Sequence, residues 1–161
     1  MMLFVVLLIT AAGLAAQVEW KTCTLAHHNN ERRYGIPYPA RAEEYDVQLI
    51  DVDVHNERIA PGDHLEATVL FRVGEDSRVL NHPRVALGVS KDGMMIRSFR
   101  ENMCQHVECP LQPGEEYEYE FSYHIPEFTP DGEYVVETRL KENAVNIECA
   151  YFTITVETEG K

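Results

Sequence analysis

Residues 109–130 read CPLQPGEEYEYEFSYHIPEFTP, and their middle sets Tyr117, Tyr119, Phe121 and Tyr123 on alternate positions, with Glu116, Glu118, Glu120, Ser122 and His124 between them. Successive side chains of a strand point to opposite faces of a sheet, so strict alternation marks a strand with one buried and one wet face. The rings are therefore expected inside, and the carboxylates form a solvated outer face. Buried together, the four rings would contribute on the order of 6–12 kcal/mol. An ordinary sandwich core has the same appearance in sequence, so what the rings face is a separate question.

Working outward, the same period recurs. Residues 60–73, APGDHLEATVLFRV, open on a Pro-Gly turn and set Leu65, Ala67, Val69, Phe71 and Val73 on one face. Before them, EYDVQLIDVDV at 44–54 alternates with a register change near Leu49 and Ile50, which predicts a bulge. RVALGVS at 84–90 and MMIRSF at 94–99 flank Lys91-Asp92-Gly93, and an Asp-Gly pair between apolar runs signals a hairpin. After the aromatic strand, PDG at 130–132 is a turn, and EYVVETRL at 133–140 and AVNIECAYFTITVE at 144–157 flank a turn at Lys141-Glu142-Asn143. VEWKTC at 18–23 is a short strand candidate, whereas 24–44 is polar, Pro-containing and aperiodic, a long surface connection. No segment carries a helical period of useful length. About seven short strands spaced by turns predict an all-β fold, an antiparallel β-sandwich.

At 161 residues the chain is sized for one domain. Its start, MMLFVVLLITAAGLAA, has an apolar run from Leu3 to Ile9 and then small residues, too short to span a bilayer but fitted to a secretory signal peptide cut after Ala15 or Ala16. That leaves residues 17–161 as a single domain in the secretory route. In that oxidising setting the four cysteines read as two disulfides, with three possible pairings. Cys104 and Cys109 are close enough to close one small loop, which leaves Cys23 with Cys149. A metal site from Cys104, His106 and Cys109 is the alternative, disfavoured because thiolates there are normally oxidised.

The formal charge is −13, with 27 acidic against 14 basic residues, which argues against nucleic acid as a partner. It would also repel anionic membranes at neutral pH. Full protonation of the seven histidines takes the charge from −13 to −6, so membrane docking should improve in an acidic compartment. No G-x-S-x-G elbow, H-E-x-x-H or P-loop is present, so no enzyme is expected and no catalytic residue, metal or cofactor is assigned. His27-His28 lies in the long polar connection as a solvated pair. The one tryptophan, Trp20, precedes every cysteine, so the pattern of an ordinary immunoglobulin domain, a Trp packed on an inter-sheet disulfide, is absent. No N-x-S/T sequon occurs.

Three stretches carry a resemblance. CQHVECPLQPGEEYEY from Cys104 to Tyr119, HIPEFTPDGEY from His124 to Tyr134, and IECAYFTITV from Ile147 to Val156 are similar to the ML lipid-recognition family, which includes the Niemann-Pick type C second protein, the group 2 mite allergens and the fungal phosphatidylglycerol/phosphatidylinositol transfer proteins. No further cysteine pair lies between Cys23 and Cys104, which makes the pattern more similar to the fungal branch. The resemblance implies an immunoglobulin-like sandwich with splayed sheets and a lipid cavity between them. It places Ile96 and Phe99, within MMIRSFRENM read as the loop before Cys104, as apolar wall residues near the mouth, and Pro126 and Phe128 on the mouth's other side. Alternation adds Val69, Phe71, Val85, Leu87, Tyr119, Phe121, Tyr134, Val136 and Phe152 as inward-facing residues for lipid binding. The expected activity is binding of a sterol or phospholipid and its exchange with membranes, in a secreted or endolysosomal setting. Met94, Met95, Phe99 and Phe128 would make transient bilayer contact, and a membrane protein is a possible lipid acceptor. The alternative is an extracellular accessory that presents a lipid to a receptor, and a closed core with no ligand is a third reading.

Overall fold

The computed structural model describes residues 18–23 and 44–158. The expected signal peptide at 1–16, most of the polar connection and His27-His28 lie outside the described residues.

Nine strands are described: β1 (Trp20–Thr22), β2 (Val47–Val54), β3 (Arg58–Ile59), β4 (His64–Val73), β5 (Pro83–Lys91), β6 (Met94–Asn102), β7 (Glu116–His124), β8 (Gly132–Glu142) and β9 (Val145–Val156). Seven of them have eight residues or more, matching the strands that alternation marks; β1 and β3 are short. One sheet runs β1-β9-β8-β5-β6, with β3 added to β9, and the other runs β2-β4-β7. Every pair is antiparallel except β3 with β9, which is parallel and joins Arg58 to Thr155 and Ile59 to Val156. A two-residue strand shows no period, so β3 was invisible in the sequence.

The alternating faces pack against each other. Leu65, Ala67, Val69, Phe71 and Val73 of β4 are all buried, as are Tyr119 and Phe121 of β7, with Tyr117 and Tyr123 partly buried at either end of that strand. From the opposite sheet, Val85, Leu87, Val136, Phe152 and Ile154 meet them. The β2 bulge falls at Ile50, where Leu49 opposes Phe71 and Asp51 opposes Leu70. Asp92 and Gly93 make the β5–β6 turn with φ of 51° and 75°, the left-handed pair that a tight hairpin needs.

Two readings need correction. The turn between β8 and β9 lies at Asn143 and Ala144, not at Lys141-Glu142-Asn143. Glu142 stays in β8 because its carboxylate is buried and accepts the backbone N–H groups of Asn81 and His82 at 3.0–3.2 Å. MMIRSFREN is likewise strand β6 throughout, followed by a 3₁₀ turn at Met103–Gln105, and is no loop.

Cys23 is joined to Cys149 and Cys104 to Cys109, so no cysteine is left to form the alternative metal site. The first bridge ties the end of β1 to β9. At that flank Trp20 Nε1 also donates to Asp51 Oδ1 of β2 at 3.2 Å, linking the two sheets.

Candidate functional site

The interior divides by depth. In one sheet the register sets Val85 opposite Leu140 and Leu140 opposite Glu148 toward one end, and Val89 opposite Val136 and Tyr134 opposite Ile154 toward the other; in the facing sheet Tyr119 opposes Val69 and Tyr123 opposes Leu65. Each end holds a cavity. The inner one, about 30 Å³, has room for about one water and is bounded by Val69, Phe71, Val85, Tyr119, Thr138 and Glu148. The second, about 230 Å³, is bounded by Val89, Ile96, Tyr123, Pro126, Phe128 and Tyr134, with Arg97 at its wall. Between the two lie Leu87, Phe121, Val136 and Phe152, all buried, which line neither cavity.

The larger cavity opens to solvent through an apolar rim. Phe128 is 84% exposed and Ile96 57%, and Met94 and Met95 at the tip of the β5–β6 hairpin are exposed beside them. The corner carrying Pro126 and Phe128 is pinned to the loop before β4, because Gly62 N–H donates to Ile125 O at 2.9 Å and Ile125 N–H to Asp63 O at 2.8 Å. Tyr134 is a fixed wall: its hydroxyl donates to Pro130 O at 2.7 Å, and Lys91 Nζ sits 4.9 Å from its ring centre.

At the β6–β7 edge the sheets are joined twice. Phe99 stacks on Tyr123 with ring centres 5.3 Å apart, and the Tyr119 hydroxyl donates to Glu101 Oε2 at 2.5 Å. Glu101 Oε1 lies 2.6 Å from His106 Nε2. Partial burial works to raise the Glu101 pKa, but the Tyr119 and His106 hydrogen bonds outweigh it and hold the carboxyl below its ordinary value. Burial, together with the Glu101 charge, pushes the Tyr119 phenol far up, so it remains a donor.

Of the residues expected to bind lipid, Ile96, Pro126, Phe128 and Tyr134 come together at the larger cavity, and Val69, Phe71, Val85 and Tyr119 at the inner one. Phe99 is at the edge seam, and Leu87, Phe121, Val136 and Phe152 form the partition. Val89, Ile125, Ile154 and Val156 also line the larger cavity and were passed over, although each continues an alternation already read in its strand or corner. Arg97 was hidden by a bulge. Cys23, Cys149 and Glu137 lie close together, but both sulfurs are spent in the disulfide and are no thiolate donors for a metal.

Residues 40–157 match the ML domain family. The chain belongs to it. Over 96 residues it is 28% identical to the mite group 2 allergen Eur m 2 of Euroglyphus maynei, an alignment covering 57% of this chain and 63%, less than two thirds, of that relative. Among solved structures, a Niemann-Pick type C2 protein from the Japanese carpenter ant superposes with a TM-score of 0.58 at 13% identity, covering 69% of this chain and 92% of that one. Spo0M, a sporulation control protein from Bacillus subtilis, gives 0.52 at 23% identity, covering 70% of this chain and 50% of that one. At such identities the two structures speak for the sandwich fold that the ML domain adopts here, and for nothing further.

Proposed function

We propose that this ML domain is a lipid-binding and lipid-transfer protein, which shields a sterol or phospholipid between its two sheets and exchanges it with membranes without covalent chemistry. The observation that carries the reading is the continuity between a largely apolar cavity and an exposed apolar rim: Ile96 and Phe128 belong to both. Large exposed apolar groups around a concave site are costly in water unless something covers them, and a bilayer surface would do so during loading and release. The larger cavity is below the usual 300–1,000 Å³ or so of small-molecule sites, so a whole lipid would part the sheets further. Residues 1–16 as a signal peptide, 17–161 as one domain, and a secreted or endolysosomal setting belong to the same reading. The two disulfides support it, because such bonds persist in oxidising compartments.

The test is lipid transfer between donor and acceptor vesicles. Phe128→Asp is expected to slow transfer by about tenfold, the equivalent of losing one aromatic contact with the bilayer, with circular dichroism unchanged. A folded variant that transfers at the original rate removes Phe128 from the mechanism. If the unaltered protein extracts no lipid from vesicles, the transfer reading is wrong.

A further inference from the structure

The register of β6 sets a cation at the cavity wall. Val89 opposes Arg97 and Ser90 opposes Met95, which leaves Ile96 without a partner, a bulge on the edge strand. In a regular strand Ile96 and Arg97 would face opposite sides. The bulge instead brings both to the same cavity, with Arg97 across from the inward-facing, buried Val89.

Arg97 also lines an open cleft of about 610 Å³ along the β6–β7 edge, where it is joined by Arg100, Gln105, Ser122 and His124. Tyr123 and Pro126 border both spaces, so the apolar cavity runs directly into a polar one. The charge there is unusual for a molecule of −13. Two guanidiniums and an imidazole face a single carboxylate, that of Glu101, whose two oxygens are already engaged by Tyr119 and His106. The Arg97 side chain makes no hydrogen bond or ion pair among the described residues, although acidic side chains outnumber basic ones by 27 to 14.

We infer that the ligand is an amphiphile with an acidic headgroup, phosphate or carboxylate, held by Arg97 in the cleft while its apolar chain occupies the cavity bounded by Tyr134 and Phe128. This rests on the lipid-binding reading above and narrows it, since a neutral sterol would leave the cleft's cations unused. A guanidinium suits the role because its planar fork matches two oxygens of a phosphate or carboxylate. The competing account is that an inward charge on an edge strand merely discourages pairing with another chain.

Titration calorimetry with decyl phosphate, decanol and inorganic phosphate, each kept below any micelle concentration, separates these accounts. Decyl phosphate is expected to bind at least about tenfold tighter than decanol, the scale of one charge-assisted hydrogen bond, and the margin should shrink with added salt. Arg97→Gln, an exposed position that leaves the core intact, should bring the two ligands near parity. Equal affinity for both in the unaltered protein, or a preference untouched by Arg97→Gln, overturns the headgroup assignment and leaves the cavity as a site for apolar chains alone. Inorganic phosphate binding as tightly as decyl phosphate would make the cleft a free-anion site, which also overturns the inference. If none of the three binds, the lipid-binding reading fails with it.

Discussion

Glu148 is a carboxylate that lines a cavity with residues of the apolar interior. It opposes Leu140, lines the inner cavity beside Thr138, and accepts the Cys149 backbone N–H at 2.8 Å. Burial raises its pKa above the ordinary 4.5, and the single amide contact only partly offsets that. The folded protein therefore holds this proton more tightly than the unfolded chain does. The stability linked to that proton is fully present below pH 4.5 and is lost as pH rises through the folded-state value. Glu148→Gln removes the ionisation, so the variant should melt higher than the unaltered protein at neutral pH and converge with it near pH 4, as followed by calorimetric melting across pH. A gap that persists in acid would mean that shape rather than charge sets the effect. None of this was legible in the sequence, because a bulge shifts the β8–β9 register between Leu140 and Lys141, just beside the Leu140–Glu148 pair.

Among the elements, the β5–β6 hairpin puts its turn chemistry to the test most directly. A Cβ added at Gly93 would meet nothing within 4 Å, so only the backbone conformation at φ +75° resists a substitution. Gly93→Ala should cost about 1 kcal/mol in urea denaturation and leave lipid binding unchanged, since the rim residues keep their places. A cost near zero would show that the turn relaxes to another type. Such local features were readable beforehand: the Asp-Gly turn, the bulge at Ile50 and the ring-bearing face of β7 each follow from neighbours in the chain. What escaped depends on distant pairing. The Ile96 bulge exists only relative to β5, and β3 exists only because β9 offers it an edge. The family resemblance pointed to Ile96 and Phe128, whereas nothing in the sequence pointed to Arg97, which lines the same cavity.

For the molecule as a whole, the two bridges do unequal work. Cys23–Cys149 spans 126 positions and Cys104–Cys109 only 5. Loop-closure entropy then assigns about 4–5 kcal/mol to the first and about 2 kcal/mol to the second. Replacing the long pair by alanines should lower unfolding free energy by roughly twice as much as replacing the short pair, measured by guanidinium titration of the two double variants. Equal losses would mean that native contacts around the bridges, rather than the unfolded chain, carry the effect. The partition of Leu87, Phe121, Val136 and Phe152 has a different sort of consequence. Along β5 it lies two residues, about 7 Å, from Val89. On the proposed reading, an acyl tail entering past Phe128 would meet it after a few methylenes, and the partition would act as a ruler. Tails shorter than this mark would slip in without disturbing the walls, while longer ones would wait for four side chains to swing aside, which would make carbon number the quantity that sets how fast the interior fills.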